Sequence, residues 1–446
     1  MKILLINPPR SPENNILEHA PEDAKPFIHK KLIGPPLGLL TVAAAVKDFD
    51  VTVIDLKGEY DLHPDAPPLK ELVRLYLQQH QPDIVGVTFI ASELYFGLDI
   101  FRVAKQFNPE IITVAGGLHV TICPEDFSDD FVDVLCPGHS AMMFRQVVVA
   151  KEKGLPLESV PGVILNKKNT LLRSKVPAPA SDAAGKDFLM PDRSHLKKWI
   201  STYRVGNDPT PVTYLFTSLG CPFECSFCSI WPQHDRQYYQ RDVESVVEEL
   251  KTLDEYQVVR FADANTVVDV RFINRLFDRI AEEGIRKKYV MDIRPDTAVK
   301  YPGLIEKMAN AGLKVVICGF ESFRDAELEN YNKKSAAANI KKSIEIFHRH
   351  DIMIRGNYIV ANDYDEKDFE ALAAYAGSHK VVYAGYTILT PMPGTILYRE
   401  MKDRIIDFDL SKYNFFNCVL KTKLPLEKFY ESVGSLWKIK LGKDVI

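Results

Sequence analysis

The residues best equipped for chemistry are three cysteines, Cys221, Cys225 and Cys228, set as C-x3-C-x2-C in the run SLGCPFECSFCSIW. Three thiolates this close can ligate three corners of a cubic 4Fe–4S cluster and leave the fourth iron without a protein ligand. A metal with an open position is a reactive centre, by the logic that separates catalytic from structural sites. The triplet alone leaves two other outcomes open. With His234 it could form a Cys3His zinc site, and an oxidised pair with one spare thiol is the third. Nothing marks the chain as secreted: MKILLINPP is a buried-strand pattern with seven residues before the double proline, too short for a signal-peptide core. Cys123, Cys136, Cys318 and Cys418 are scattered, each in or near apolar sequence, and are expected to be buried structural thiols.

The elements that must position the triplet lie on both sides of it. VTYLFTS (212–218) reads as a strand that delivers the cysteines onto its following loop. Five more strand-like runs follow, VVRFADA (258–264), KYVMDIR (288–294), KVVICGFE (314–321), MIRGNYIV (353–360) and VVYAGYTIL (381–389), each preceded by a helix-like segment. Six such units predict a partial (β/α)6 barrel, in which chemistry collects at the carboxyl ends of the strands. Polar residues fall where that rule places them: Asp263 and Asn265 after the second strand, Arg294 and Asp296 after the third, Glu321 and Ser322 after the fourth, and Asn357 in the fifth. For any one of them the bland reading is a structural ion pair at a barrel rim. Their order on successive strands argues for a shared site.

The first half has the same rhythm. KILLIN (2–7), VTVIDL (51–56), DIVGVTF (83–89), IITVAGG (111–117) and VDVLCPG (132–138) have strand length, with helical segments at 37–48, 68–80, 93–107 and 139–152. This alternation predicts an α/β, doubly wound parallel sheet, whose ligands bind outside the carboxyl ends of the strands. Asn7-Pro8-Pro9 follows the first strand, Thr88-Phe89 ends the third, Gly116-Gly117-Leu118-His119 follows the fourth, and Pro137-Gly138 the fifth. Glycines there would let a large flat ligand approach the backbone.

GVILNKKNTLLRS (162–174) predicts a hairpin turning at Lys167-Lys168-Asn169, and VPAPASDAAG with DFLMPDRS predicts a linker. NFFNCVLKTKLPLEKFYESVGSLWKIKL predicts a strand and then an amphipathic helix carrying Phe429, Val433 and Trp437 at i, i+4, i+8, which would cap the core. The expected organisation is a sheet domain at 1–150, a hairpin and linker at 151–210, a partial barrel at 211–398 and a cap at 399–446.

The residues after 211 resemble the radical S-adenosylmethionine (SAM) superfamily, and Phe227 matches the aromatic position often found before the last cysteine of its triplet. The resemblance implies an oxygen-sensitive enzyme. Its free iron would bind the amino and carboxylate groups of SAM, and a cluster electron would split off a 5′-deoxyadenosyl radical. FADANTVVD resembles the strand-two motif that meets the SAM amino group; Ala264 replaces a second acid, which leaves Asp263 and Asn265 for that contact. MDIRPD resembles the strand-three segment whose arginine contacts SAM, so Arg294 is the candidate for its carboxylate. GFESFRDAELENYNK places Glu321 and Ser322 near the ribose, and TPMPGTILY (390–398), with Pro391, resembles the run that ends these barrels. An electron donor such as flavodoxin or ferredoxin is implied as a partner.

Residues 1–150 resemble the cobalamin-binding domain that precedes many such barrels. The matching residues are the NPP after strand one, PPLGLLTVAAAV, the strand ending at Asp55, and GGLHVTICPED at 116–126. The corrin contacts implied are Asn7, Pro8, Thr88, Gly116, Gly117 and His119. The D-x-H-x-x-G signature is absent, so no histidine is expected below the cobalt, and His119 is read as a loop histidine bonded to backbone. Pro137-Gly138-His139-Ser140 also departs from the acidic G-E-x-E run of many relatives.

The two resemblances together imply methylation of an unactivated carbon. The deoxyadenosyl radical would take a hydrogen atom, the substrate radical would capture methyl from methylcobalamin, and a second SAM would remethylate the cobalt. A non-methylating cyclisation or oxidative rearrangement is the alternative. A corrinoid- or iron-responsive binding protein is a third, against which the intact SAM-like residues speak. The resemblance implies a small-molecule or peptide substrate. Composition fits a cytoplasmic enzyme: 446 residues, 46% hydrophobic, 26% charged. A net charge of −4 gives no reason to expect nucleic acid, and no run approaches the roughly 20 apolar residues of a membrane span.

Overall fold

The computed structural model describes residues 1–28, 34–177, 188–204, 210–379, 381 and 383–438. They divide into two compact units, the first drawn from 1–11 and 33–203, the second from 12–32 and 204–446. From residue 178 on, the expected linker run VPAPASDAAG lies outside the described residues.

In the first unit the five apolar runs become β1 (Lys2–Asn7), β2 (Asp50–Asp55), β3 (Ile84–Thr88), β4 (Ile112–Gly116) and β5 (Val134–Cys136), all parallel. The hairpin β6 (Ile164–Lys167) and β7 (Thr170–Arg173) adds antiparallel to β5, giving the order β2-β1-β3-β4-β5-β6-β7. Its turn residues Lys168 and Asn169 have φ of 51° and 64°, the left-handed pair a two-residue hairpin turn needs. Helices Leu37–Ala45, Leu69–His80, Leu94–Phe107 and Ser140–Glu152 connect the strands. The order reverses between β1 and β3, and a crevice opens at that reversal.

Part of the stretch read as linker is built into this unit. A 3-10 segment, Arg193–Thr202, brings Trp199 Nε1 to Glu59 Oε2 at 2.8 Å, and the Tyr203 hydroxyl donates to Asp55 Oδ2 at 2.6 Å. Gly58 carries no side chain because a Cβ there would lie 2.8 Å from the Trp199 ring.

The second unit holds β8 (Val212–Leu215), a short β9 (Ser218–Gly220) and β10 (Tyr238–Gln240), then β11 (Val258–Phe261), β12 (Lys288–Asp292), β13 (Leu313–Glu321), β14 (Met353–Val360) and β15 (Tyr383–Ile388). Six of these form one parallel sheet in the order β15-β14-β13-β12-β11-β8. Each strand neighbours its successor in this sheet, and among the described residues β8 and β15 are its two edges. That is the unclosed strand order expected from the six repeats. Strands β9 and β10 pair separately and antiparallel.

The strand expected near 414–421 does not form; a single bridge joins Ile405 and Leu420. The local polar groups have other partners. Cys418 N–H donates to the Tyr430 hydroxyl at 2.8 Å, Phe416 N–H to Asn414 Oδ1, and the Asn417 amide to the carbonyls of Glu13 and Lys412. Helix Leu426–Leu436 follows as expected, with Phe429 and Val433 buried, and His19 stacks on Tyr430 at 5.4 Å.

Candidate active site

Cys221, Cys225 and Cys228 lie on the loop between β9 and β10, at the carboxyl end of β8. The base of that loop is fixed by the two-stranded ladder. Gly220 (φ 81°) pairs with Tyr238, and a Cβ there would sit 2.1 Å from the Gln237 carbonyl, so only glycine fits. A buried ion pair braces the same base. Arg241 donates to Glu249 at 2.5 Å and to the Phe216 carbonyl at 2.9 Å, with both side chains almost fully covered. Farther along, Trp231 Nε1 donates to the Cys225 carbonyl at 3.0 Å, Asn332 Nδ2 to the Glu224 carbonyl at 2.7 Å, and Leu397 N–H to the Ser226 carbonyl at 2.9 Å. The last contact ties the TPMPGTILY run, with buried Pro391, to the cysteines. Phe227 packs edge-on against Tyr331 at 5.7 Å.

Asp263 is fully engaged below the loop. Its carboxylate accepts from Thr217 N–H (2.8 Å), Thr217 Oγ1 (2.9 Å), Ser218 N–H (2.7 Å) and Ser218 Oγ (3.0 Å). Burial pushes its pKa up to about 6 against those four donors. Asn265 is its opposite: it is buried, and neither its Nδ2 nor its Oδ1 has a partner among the described residues. A buried amide without partners calls for an explanation, and a bound ligand is one that its place at the end of β11 offers.

Arg294 clamps two segments together. Its Nε bonds Asp296 at 3.0 Å, its Nη2 the Lys333 carbonyl at 2.7 Å, and its guanidinium lies 3.8 Å from the centre of the Phe223 ring on the cysteine loop. Glu321 holds an unusual backbone conformation, φ 60°, where the β13–β14 register shifts. Bulges and left-handed residues of this kind concentrate at functional sites. Its Oε1 lies 2.7 Å from Lys333 Nζ, and a Cβ on Gly319 would collide with both groups. Ser322 donates to Glu327 at 2.6 Å and accepts from Arg324 N–H. Sequence reasoning overlooked Lys333, although it closes the GFESFRDAELENYNK run, and it overlooked Phe223 and the Arg241–Glu249 brace.

The donor set fits a cluster: three free thiols lie on one loop, two of them half-buried and Cys225 buried, which matches three protein ligands and one open iron. Burial raises all three thiols, Cys228 to about 12, while Arg294 and Lys333 work in the other direction on Cys221 and Lys333 on Cys225. Those two cations supply the positive surroundings an anionic cluster requires. The other four cysteines are buried and unpaired, as expected.

In the first unit a notch of about 160 Å³ opens between the ends of β1 and β3, lined by Asn7, Thr88, the start of helix Leu37–Ala45, Lys57 and Glu93. Asn7 Nδ2 donates to Asp55 Oδ1 at 2.7 Å, and Lys57 pairs with buried Glu93 at 2.6 Å, whose pKa burial raises. The notch is smaller than a macrocycle. On the carboxyl edge Ile90, Tyr95 and Met142 are exposed at the starts of the segments after β3 and β5. Pro8 is buried beside Asn7, and Gly116 leaves only ordinary contacts around its Cβ position.

Two expectations need correction here. Gly117 (φ 102°) faces its own chain: a Cβ would lie 2.8 Å from Phe89 N and Thr88 Oγ1, so the loop itself demands glycine there. His119 is wholly buried, and its Nε2 bonds the Asp126 carboxylate at 2.8 Å rather than backbone.

Two family profiles match the chain: the radical SAM superfamily over residues 215–376 and the B12 binding domain over residues 27–148. An uncharacterized methyltransferase of Pyrococcus horikoshii is 28% identical over 435 residues, 95% of this chain and 88% of that protein. The anaerobic magnesium-protoporphyrin IX monomethyl ester cyclase of Cereibacter sphaeroides is 27% identical over 406 residues, 87% of this chain and 64% of that one. The hopanoid C-3 methylase of Methylococcus capsulatus is 26% identical over 407 residues, covering 89% and 74%. A solved structure of the radical SAM methyltransferase TsrM from Kitasatospora setae, with cobalamin and a [4Fe-4S] cluster bound, has the same fold at a TM-score of 0.69 and 17% identity, covering 98% of this chain and 91% of that one. The chain carries a B12 binding domain over residues 27–148 and, after it, a radical SAM domain over residues 215–376.

Proposed function

We propose that the protein is a cobalamin-dependent radical SAM methyltransferase that methylates an unactivated carbon of a small-molecule or peptide substrate. One observation carries the reading. On a chain that also holds a B12-binding domain, three free thiols in C-x3-C-x2-C spacing, beside Arg294 and Lys333, sit at the carboxyl end of a parallel sheet. When bound, the cluster and corrinoid supply an electron for SAM cleavage and a methyl group for transfer.

The chain's own residues hold and orient. Cys221, Cys225 and Cys228 ligate three irons. Asn265, with both amide atoms unpartnered, meets the amino acid end of SAM, and Asp263 holds the loop that carries the cysteines. Arg294 fixes Phe223 and the 333–334 backbone around the same space, and its charge favours the SAM carboxylate. Glu321, aimed by its backbone conformation and steadied by Lys333, faces the ribose, with Ser322 holding the following turn. In the first unit Asn7, Pro8, Thr88 and Gly116 form the edge over which the corrin lies, and Gly117 and His119 shape that edge from beneath. The reductant is an external one-electron donor of the flavodoxin or ferredoxin type. No helix among the described residues is long and apolar enough to cross a membrane, and we place the enzyme in the cytoplasm.

The relationship to a cyclase favours one second reading, ring formation without methyl transfer. Anaerobic incubation of reconstituted protein with SAM, reductant and cobalamin separates the two. Methyl transfer predicts S-adenosylhomocysteine beside 5′-deoxyadenosine; 5′-deoxyadenosine alone supports the cyclase-like reading.

A further inference from the structure

The parallel sheet of the second unit has one face covered by helices. Phe261 and Tyr289 pack against Phe277 of helix Val270–Glu282, and Tyr358 packs against Tyr375 of helix Glu366–Ser378. Strand side chains alternate between faces, so Arg260 (β11), Asp292 (β12) and Arg355 (β14) project from the opposite face. Register places them together. Asp292, Ile317 and Arg355 share one row across β12, β13 and β14, which sets Asp292 and Arg355 about 10 Å apart at the strand spacing.

Charge on this face does not balance. Arg260 pairs with Asp292 at 3.0 Å and stands 5.3 Å from the centre of the Tyr214 ring, and its Nε has no partner. Arg355 makes no hydrogen bond or ion pair among the described residues. Burial, and then the charge of Arg260, push its pKa down. Two guanidinium groups thus share a single carboxylate. A half-buried cation that has only a share of one counter-ion is costly to hold, and a guanidinium fork matches the paired oxygens of a carboxylate or phosphate.

We propose that this face binds an anionic group of the substrate, a carboxylate or a phosphate, on the Arg355 guanidinium with Arg260 beside it. The inference rests on the reading of this sheet as a radical SAM substrate site. The carboxylate of SAM itself is a poor fit. Arg355 lies in the row of Ile317, four residues before Glu321 on β13, about 13 Å below the rim at the strand rise. The cysteines that would hold the SAM-binding iron are at the rim.

Thermal unfolding of the full chain, wild type and Arg355→Met, tests this in chloride buffer and at equal ionic strength with inorganic phosphate or acetate. Arg355→Met should melt higher than wild type in chloride, because an unpaired charge is gone. Wild type should gain about 2–5 °C from the preferred anion at tenfold excess over its Kd, and the variant should not. A response to phosphate alone supports a phosphorylated substrate; a response to acetate alone supports a carboxylate. Arg355→Lys, which keeps the charge without the fork, should retain a reduced response and serves if the methionine variant does not fold. SAM affinity of the reconstituted protein should change less than twofold in either variant. A lower melting point for Arg355→Met with an unchanged anion response would make the arginine structural and overturn the proposal. Loss of SAM binding would assign it to SAM and also overturn it. Neither anion measurement requires bound iron or cobalt, so failure of the radical reading would show separately, as absence of the cluster.

Discussion

Replacing Asp263 with alanine separates two roles that the sequence leaves merged, contact with SAM and support of the cysteine loop. The carboxylate accepts four hydrogen bonds, two of them from the Thr217 and Ser218 backbone N–H groups that cannot turn away. An unsatisfied buried donor costs about 1–3 kcal/mol. The two N–H groups therefore predict a loss of about 2–6 kcal/mol, with the hydroxyls free to rotate elsewhere. The loss depends on pH. Burial raises this carboxyl from 3.8 to about 6 in the folded chain. Such a group contributes stability below pH 3.8 that is lost as the pH rises through 6. The alanine variant's deficit should accordingly be larger at pH 5 than at pH 7.5. The assays are denaturant unfolding at both pH values and iron per chain after anaerobic reconstitution, where Asp263→Ala should fall well below wild type. Asn265→Ala should do the reverse, keeping its iron while binding SAM at least roughly tenfold more weakly. If Asp263→Ala retains wild-type stability and iron but loses SAM affinity, the carboxylate is a SAM ligand and the bracing argument is wrong.

Lys333→Met strands the Glu321 carboxylate in the interior and should destabilise the second unit by about 3–5 kcal/mol in denaturant titrations; a double variant that also replaces Glu321 with glutamine should recover part of it. Tyr203→Phe removes a hydrogen bond to buried Asp55 and should lower the stability of the first unit by about 1.5–3 kcal/mol without changing bound iron, read by Trp199 fluorescence and iron assay. Cys221→Ala, Cys225→Ala and Cys228→Ala should each abolish SAM cleavage, while Cys123→Ala and Cys418→Ala should leave it intact, measured as 5′-deoxyadenosine formed anaerobically.

The architecture was legible because its signals are periodic. Each strand-like run of the first half became a strand, since five β-branched-rich segments separated by amphipathic ones have few other ways to bury their apolar residues. The six repeats around the cysteines were equally plain. What the sequence could not show were interactions set by distant chain segments. Arg241 and Glu249 look like ordinary surface charges, one just before a helix and one in its last turn, and only the fold makes them a buried brace. Asp263 and Asn265 are two residues apart with similar chemistry, yet one is saturated by Thr217 and Ser218 and the other is left open. Gly117 was read as room for a ligand, whereas its space belongs to Phe89. The missing strand near 417 reflects a contest that propensity does not describe: Asn414, Asn417 and Tyr430 capture the polar groups a ladder would have used.

The most direct test of the central claim is a metal count on anaerobically reconstituted protein with cobalamin supplied, for wild type and for the variant with all three triplet cysteines changed to alanine. The account predicts about four irons and one cobalt per wild-type chain, with negligible zinc. The triple variant should lose its iron and keep its cobalt, because the two sites belong to different units. Stoichiometric zinc without iron in the wild type would contradict the radical chemistry, and iron without cobalt would remove cobalamin and with it the methyltransferase.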